Sequence, residues 1–394
     1  MATALKGFKL KLYPTSDQQI LFRCTFGCTR FVWNKMFAMQ IARRKNNPKQ
    51  WLVSRFGMDS LLPLLKKEYP WLKDIDATAL QMATDQLADA YTRFFKGQNG
   101  FPHFRKRTYA QSYTSKCINN NIQVVDDHHL KLPKAGLVYF KAGRLPAGKI
   151  KRVTIRQKSA GHYEATVLCE CEIADLPKTG KSVGGDLGLK ALLILSDGQK
   201  EPNLRYDKQL AKKKHQWEKK KARRLLGAQA EIARDKHEHP NNVRTLEDFK
   251  NYQEARTMVA KYAAKEAYQR QDQLQKYTTW LVQNYDLIVL EELNVKGLLK
   301  NHKLARAISN ASWGRLVAIL AYKCRWYGKE LILVPPAYTS QECSSCHERN
   351  QRLGLSQSQW LGVREWDCPS CGTHHDRDIN AAINILNKGI KTAA

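Results

Sequence analysis

Four cysteines stand in two Cys-x-x-Cys pairs, Cys343/Cys346 and Cys368/Cys371, with 21 residues between the pairs. Each pair puts two thiolates on one tight turn, and four thiolates satisfy the closed tetrahedral coordination of structural Zn2+. Gly372 supplies the permissive backbone that a knuckle turn needs. The competing reading is two redox pairs, and Pro369, Gly372 and the scarcity of apolar neighbours argue against it. His347, His374 and His375 flank the knuckles as substitute ligands, which a four-cysteine site does not require. A closed site of this kind does not catalyse; it holds a small ribbon in place.

Three carboxylates adjoin apolar elements. Asp186 falls in VGGDLGLKALLILSD (183–197), read as two strands of a hairpin. Buried and unpaired it would cost several kcal/mol, so it needs a cation or donors; a turn aspartate is the alternative. Gly184, Gly185 and Gly188 let a backbone or a ligand come close. Glu291 closes the short strand begun by Leu287–Leu290, with Glu292 on the opposite face. Asp378 opens a helix in which Ile379, Ala382, Ile383, Leu386 and Ile390 recur at helical spacing. The plain explanation is that Asp376 or Asp378 caps that helix. If Asp186, Glu291 and Asp378 converge, divalent cations must neutralise them. Hard oxygens suit Mg2+ or Mn2+, and two ions about 4 Å apart would clamp a phosphodiester.

The rest of the chain has to position these groups near a substrate. Its 394 residues suffice for two or three domains. Lys plus Arg number 66 against 36 Asp plus Glu, a net charge of +30. That excess repels itself without a polyanion, so nucleic acid is the expected partner, with an anionic membrane surface as the competitor. No apolar run reaches transmembrane length and no signal peptide is evident, so the expectation is no membrane and a cytoplasmic, nucleoid-associated protein. Ten cysteines with four in knuckles indicate a reducing interior. Cys24, Cys28, Cys117, Cys169, Cys171 and Cys324 are expected to be small core residues.

Residues 5–12 alternate like a strand, and Ser16 is placed to cap the helix that follows. Helical patterning continues through 57–72 and 77–96. In FPHFRKR, Phe104 with Arg105, Lys106 and Arg107 could stack on bases and neutralise phosphates; a solvated basic loop is the alternative. Short alternating segments over 108–175 suggest a small β-barrel completed by the first strand, with the helices inserted. Residues 205–282 are helical and basic, broken at Pro240 into an antiparallel pair. Lys212, Lys213, Lys219, Lys220, Arg223 and Arg224 lie in its basic run, expected to face nucleic acid. Residues 305–327 read as one amphipathic helix, and 330–336 as a strand.

The segments GGDLGLK, VLEELNV, SWGRLV, YTSQECSSC and CPSCGTHHDRDINAAINIL, in this order, resemble those of TnpB, the OrfB-type protein of bacterial insertion sequences. KLYPTSDQQ, FVWNK and FPHFRKR are also similar to that family. The resemblance implies an RNA-guided DNA endonuclease related to the compact type V CRISPR nucleases. It implies a multidomain α/β chain: a wedge β-barrel at 1–15 and 108–181, a helical recognition domain at 16–107, and an RNase H-like RuvC nuclease domain at 182–336. A zinc-ribbon target-nucleic-acid-binding insert would occupy 337–375, and 376–394 would return to the nuclease domain. Carried over by motif, the acidic triad is Asp186, Glu291 rather than Glu292, and Asp378 rather than Asp376, the last in an Asp-x-Asn-Ala-Ala element. Partners would be a guide RNA and target DNA, double-stranded and then single-stranded, with sequence specificity left to base pairing after recognition of a short adjacent motif. Gln81, Asn119 and Asn120 are candidate readers of that motif, the last two expected on a strand. GGDLG departs from the family in having glycine before Asp186, where a bulkier apolar residue is commoner. Transposase-type strand transfer and a nuclease-inactive RNA-guided regulator are the alternatives; retention of all three acidic residues disfavours the second.

Overall fold

The structure, a computed structural model, describes residues 2–49, 52–108, 111–336, 338–349 and 362–393. The expected insert 337–375 and terminal segment 376–394 therefore lie partly outside the described residues. The chain forms two compact units, one of Thr3–Glu172 and one from Ile173 onward.

The first unit is built on a seven-stranded sheet and a group of helices. The strands are β1 (Ala2–Tyr13), β2 (Gln111–Lys116), β3 (Gln123–Val124), β4 (His129–Leu132), β5 (Gly136–Lys141), β6 (Lys149–Gln157) and β7 (Tyr163–Ile173), in the order β2-β6-β7-β1-β5-β4-β3. Alternation puts Phe8, Leu10 and Leu12 of β1 into one core with Val153, Ile155, Ala165 and Val167. Phe22 and Phe26 of α1 (Ser16–Asn46) join them. Thr15, not Ser16, caps α1: its hydroxyl accepts from the Gln18 amide while the Gln18 side chain accepts from the Thr15 amide, a complete capping box. The helical pattern of 57–72 resolves into α2 (Arg55–Ser60), α3 (Leu62–Glu68) and a 3-10 turn at Pro70–Lys73, because Pro63 and Pro70 each restart the chain. α4 (Ala77–Phe95) packs against α1 through Leu80, Ala83 and Leu87. The strand β2, QSYTSK, lacks an apolar pattern yet buries Tyr113, Thr114 and Ser115.

The second unit holds a five-stranded mixed sheet. Its strands are β8 (Ser182–Asp186), β9 (Ala191–Leu195), β10 (Lys200–Pro202), β11 (Leu287–Glu291) and β12 (Glu330–Val334), in the order β10-β9-β8-β11-β12. The first three are antiparallel; β11 runs parallel to both β8 and β12. After β10 come α5 (Tyr206–Gln209), α6 (Ala211–Glu238) and α7 (Lys250–Asn284). Ion pairs Lys214–Glu266 and Arg224–Glu254 fix α6 and α7 antiparallel. After β11 come α8 (Val295–Leu298), α9 (Ala305–Ala311) and α10 (Trp313–Tyr327). The single helix expected over 305–327 is broken at Ser312, whose φ of 55° is left-handed.

Alternation along β11 sorts the two faces. Ile288 and Leu290 pack with Leu274, Leu281, Leu316 and Leu320 of α7 and α10. Val289 packs with Ile385 of α11 (Arg377–Ala393) on the other face. Gly184 permits this: a Cβ there would lie 2.1 Å from the Ala382 carbonyl oxygen, so the α11 backbone rests directly on β8. A short hairpin of β13 (Glu365–Asp367) and β14 (His374–Asp376) leads into α11. Among the cysteines, Cys28, Cys169 and Cys324 are core residues as expected, but Cys117 and Cys171 are half-buried and Cys24 is exposed.

Candidate functional site

Register places two of the three carboxylates side by side. Gly185 pairs with Leu290, so Asp186 and Glu291, one residue on, end adjacent parallel strands on the face that α11 covers. The first turn of α11 brings Asp378 to the same edge. Burial, then the charges of Glu291 and Asp378, push the Asp186 carboxyl up to about 7. Burial also raises Glu291, against a hydrogen bond of 2.5 Å from the Thr339 hydroxyl and the charge of Lys388.

The two aspartates near α11 divide the labour. Asp376 is the cap, its Oδ1 accepting from the amides of Asp378 and Ile379 at 2.9 and 3.2 Å, while Lys200 pairs with its other oxygen at 2.7 Å. Asp378 is thereby left out of the cap and accepts from guanidinium groups instead: Arg377 at 2.7 Å and Arg364 at 3.2 Å. Glu291 and Asp378 act electrostatically on Asp186, and the three do not close into a tight cluster. Among the described residues, only the cysteine quartet has all its ligand atoms within 4.8 Å of one another. Hard carboxylate oxygens, one of them on a buried group whose proton is held by burial and by neighbouring negative charge, are a donor chemistry that divalent cations such as Mg2+ fit.

In the quartet, Cys343 and Cys371 sulfurs lie 3.7 Å apart and those of Cys346 and Cys368 3.6 Å. A tetrahedron with metal–sulfur bonds of about 2.3 Å has edges of about 3.8 Å, so the donors and spacing fit structural zinc. The knuckles are built alike. The His347 amide donates to the Cys343 carbonyl as the Gly372 amide does to Cys368, and both residues are left-handed, at φ 61° and 71°. None of the flanking histidines replaces a cysteine in this group. His375 is buried with Nε2 3.1 Å from the Cys343 sulfur.

Sequence reasoning missed the fastenings between the two centres. Asn380 and Asn384, both buried on α11, hydrogen-bond the backbone of the segment that enters the first knuckle. Their spacing of four residues on an apolar helix face was the signal that could have found them.

The expected nucleic-acid residues scatter. Lys212, Lys213, Lys219, Lys220 and Arg223 are exposed on α6, whereas Arg224 is half-buried and donates to Asn251 and Glu254. Lys106 and Arg107 are exposed. Arg105 is turned inward: its guanidinium stacks 3.6 Å from the Trp33 ring centre and donates to Gln86, and Phe104 packs edge-on against Phe37. Gln81 is half-buried on α4. Asn119 and Asn120 occupy an exposed turn, not a strand, both with left-handed φ. No helix among the described residues is long and apolar enough to cross a membrane.

Family models match three stretches: a "Helix-turn-helix domain" at 1–49, a "Probable transposase" at 166–302 and a "Cas12f1-like, TNB domain" at 313–385. The first of these covers β1 and the single long α1 here. A "Putative RNA-guided DNA endonuclease" of Streptomyces pristinaespiralis is 34% identical over 100% of this chain and 92% of its own length. The "Putative RNA-guided DNA endonuclease InsQ" of Escherichia coli is 30% identical over 98% of this chain and 92% of its own. The chain belongs to the TnpB family. Within that family, the "TnpB-like protein L79" of Acanthamoeba polyphaga mimivirus is 32% identical over 34% of this chain and 25% of its own length. As a TnpB-type protein, the chain carries its cysteine quartet and Asp378 within or beside the TNB-matching stretch, and Asp186 and Glu291 within the transposase-matching one.

Proposed function

We propose that this TnpB-type chain is an RNA-guided DNA endonuclease that hydrolyses phosphodiester bonds at the edge formed by Asp186, Glu291 and Asp378. The observation that carries the reading is the register of β8 and β11, which aligns Asp186 and Glu291 on the face where α11 delivers Asp378. The strand order β10-β9-β8-β11-β12, antiparallel then parallel, supports an RNase H-like, RuvC-type unit. The names of the full-length relatives support a guide RNA and a DNA target as partners.

Bound at this edge, two Mg2+ or Mn2+ ions would neutralise the scissile phosphate and lower the pKa of the attacking water. The chain's own part is to hold the carboxylates. Asp186 is held by its strand, where burial and the charges of Glu291 and Asp378 favour its protonated form and a bound cation would favour the ionised one. Glu291 is oriented by Thr339. Asp378 is free of helix capping because Asp376 does that work, and held by Arg364 and Arg377 it would be one of the residues to hold a cation. Exposed lysines of α6 would neutralise nucleic-acid phosphates. Recognition of a target-adjacent motif belongs to the same proposal; the exposed Asn119–Asn120 turn suits it better than half-buried Gln81.

Asp186→Ala, purified with co-expressed RNA, should bind guide and target as the parent does. Its cleavage should fall by about 10²–10³-fold or more. Cleavage that persists, or binding lost together with cleavage in a folded variant, contradicts this assignment.

A further inference from the structure

The segment 339–344, which enters the first knuckle, touches both centres. At its start the Thr339 side chain, 4% exposed, donates to Glu291 Oε1 at 2.5 Å. At its far end the Ser344 amide, one residue past Cys343, donates to Asn380 Oδ1 at 2.8 Å. Between them, Asn380 and Asn384 Nδ2 donate to the Glu342 carbonyl at 2.7 and 2.6 Å, and Asn384 Nδ2 also reaches the Thr339 carbonyl at 2.9 Å. Asn380 and Asn384 are 1% and 2% exposed on α11, two and six residues after Asp378. So one stretch of backbone is pinned twice by the helix that carries Asp378, and from it a hydroxyl reaches Glu291.

We propose that Thr339, held by Asn380 and Asn384, is a positioning residue for divalent-cation binding: it fixes Glu291 in the orientation that ligates, and it makes the geometry of the carboxylate edge depend on the seating of the cysteine knuckle. Two physical points support this. A buried carboxylate with a donor on Oε1 is restrained about its last torsion, and Oε2 is left without that donor. Hydrogen bonds to ligating carboxylates are worth 10–100-fold in metal affinity. Buried amides that pair with backbone on both their oxygen and nitrogen, as Asn380 does, also specify one placement of the segment they hold.

The proposal rests on the cation-binding role assigned above, and the test separates the two. Mn2+ binding to the protein–RNA complex is measured by electron paramagnetic resonance without DNA, beside zinc content by elemental analysis, for the parent, Asp186→Ala, Thr339→Val, Thr339→Ser and Asn384→Ala. Expected are Mn2+ affinity on the order of 10-fold weaker for Thr339→Val, near-parental affinity for Thr339→Ser, weakened affinity for Asn384→Ala, and one zinc per chain throughout. Parental affinity in Thr339→Val, equal loss in Thr339→Ser, or zinc lost from Thr339→Val overturns the positioning role. A parent whose Mn2+ binding is unchanged by Asp186→Ala overturns the underlying site assignment as well.

Discussion

At the scale of single residues, the most informative facts concern which carboxylate does which task. Either Asp376 or Asp378 could cap the terminal helix by sequence, because both precede the apolar stripe at a compatible distance. Only backbone geometry separates them, giving the cap to Asp376. The cysteines were legible because their chemistry is local: each knuckle closes within five residues through its own hydrogen bonds. Thr339 was not legible, since its partner Glu291 stands 48 positions away. A half-buried carboxylate elsewhere gives a clean pH prediction. Asp286 accepts from the ammonium of fully buried Lys329 and from the Thr179 and Gly180 amides, which together hold its pKa down to about 2. A depressed pKa means the stabilisation is present above the ordinary carboxylate range and fades as pH falls through the folded value. Asp286→Asn should therefore destabilise the protein at pH about 7, and the gap to the parent should close between pH about 4 and about 2. Denaturant midpoints across that range check it; a gap independent of pH would remove the ion pair as the cause.

At the scale of elements, contact between β8 and α11 decides whether the acidic edge exists. Gly185, before Asp186, leaves the β8 strand intact, and its neighbour Gly184 admits the helix. Adding one methyl there drives Cβ into the Ala382 carbonyl and within 2.8 Å of the Leu386 Cβ, both on the helix that rests on β8. Gly184→Ala should cost about 1–3 kcal/mol and abolish cleavage, measured by urea titration and a plasmid nicking assay. A variant that keeps both stability and cleavage would show that α11 can shift outward without harm. Elements with a plain period were legible: β11 and the basic helical pair are examples. The break at Ser312 was not, because the amphipathic period runs unbroken across it while the backbone alone turns left-handed. β2 was hidden for the opposite reason. Its buried hydroxyls are satisfied by partners on α4 and β6 and so need no apolar pattern: Ser115 bonds Asp76 and Thr78, and Thr114 bonds Thr154.

At the scale of the whole molecule, charge is the dominant fact. A net charge of +30 repels itself unless a polyanion is near, and Lys212, Lys213, Lys219, Lys220 and Arg223 stand exposed along one helix. Replacing those five with Gln should weaken RNA binding and flatten its salt dependence, by about 0.7 in log–log slope for each phosphate no longer neutralised. Filter binding from about 50 to about 200 mM salt reads the slope; an unchanged slope would remove α6 from the interface. Net charge names the class of partner from composition alone. It does not say which cations face it, and Arg105 shows why: the same residue type in the same basic motif is stacked on Trp33 inside the first unit. The two units divide at the end of the continuous strand β7, nine residues before the expected domain start at 182, where no linker composition marks the boundary.

The order in which the acidic groups leave the ribosome follows from where they sit. Strands β8 to β12 are complete once Val334 has emerged, so a growing chain can already own its sheet and two neighbouring carboxylates. Asp378 arrives later, on a helix that must dock against finished strands and clasp the knuckle segment on the way in. A product cut short before residue 377 would lack Asp378 and, with Ile385, the apolar cover of Val289 and Val334 on that face of the sheet.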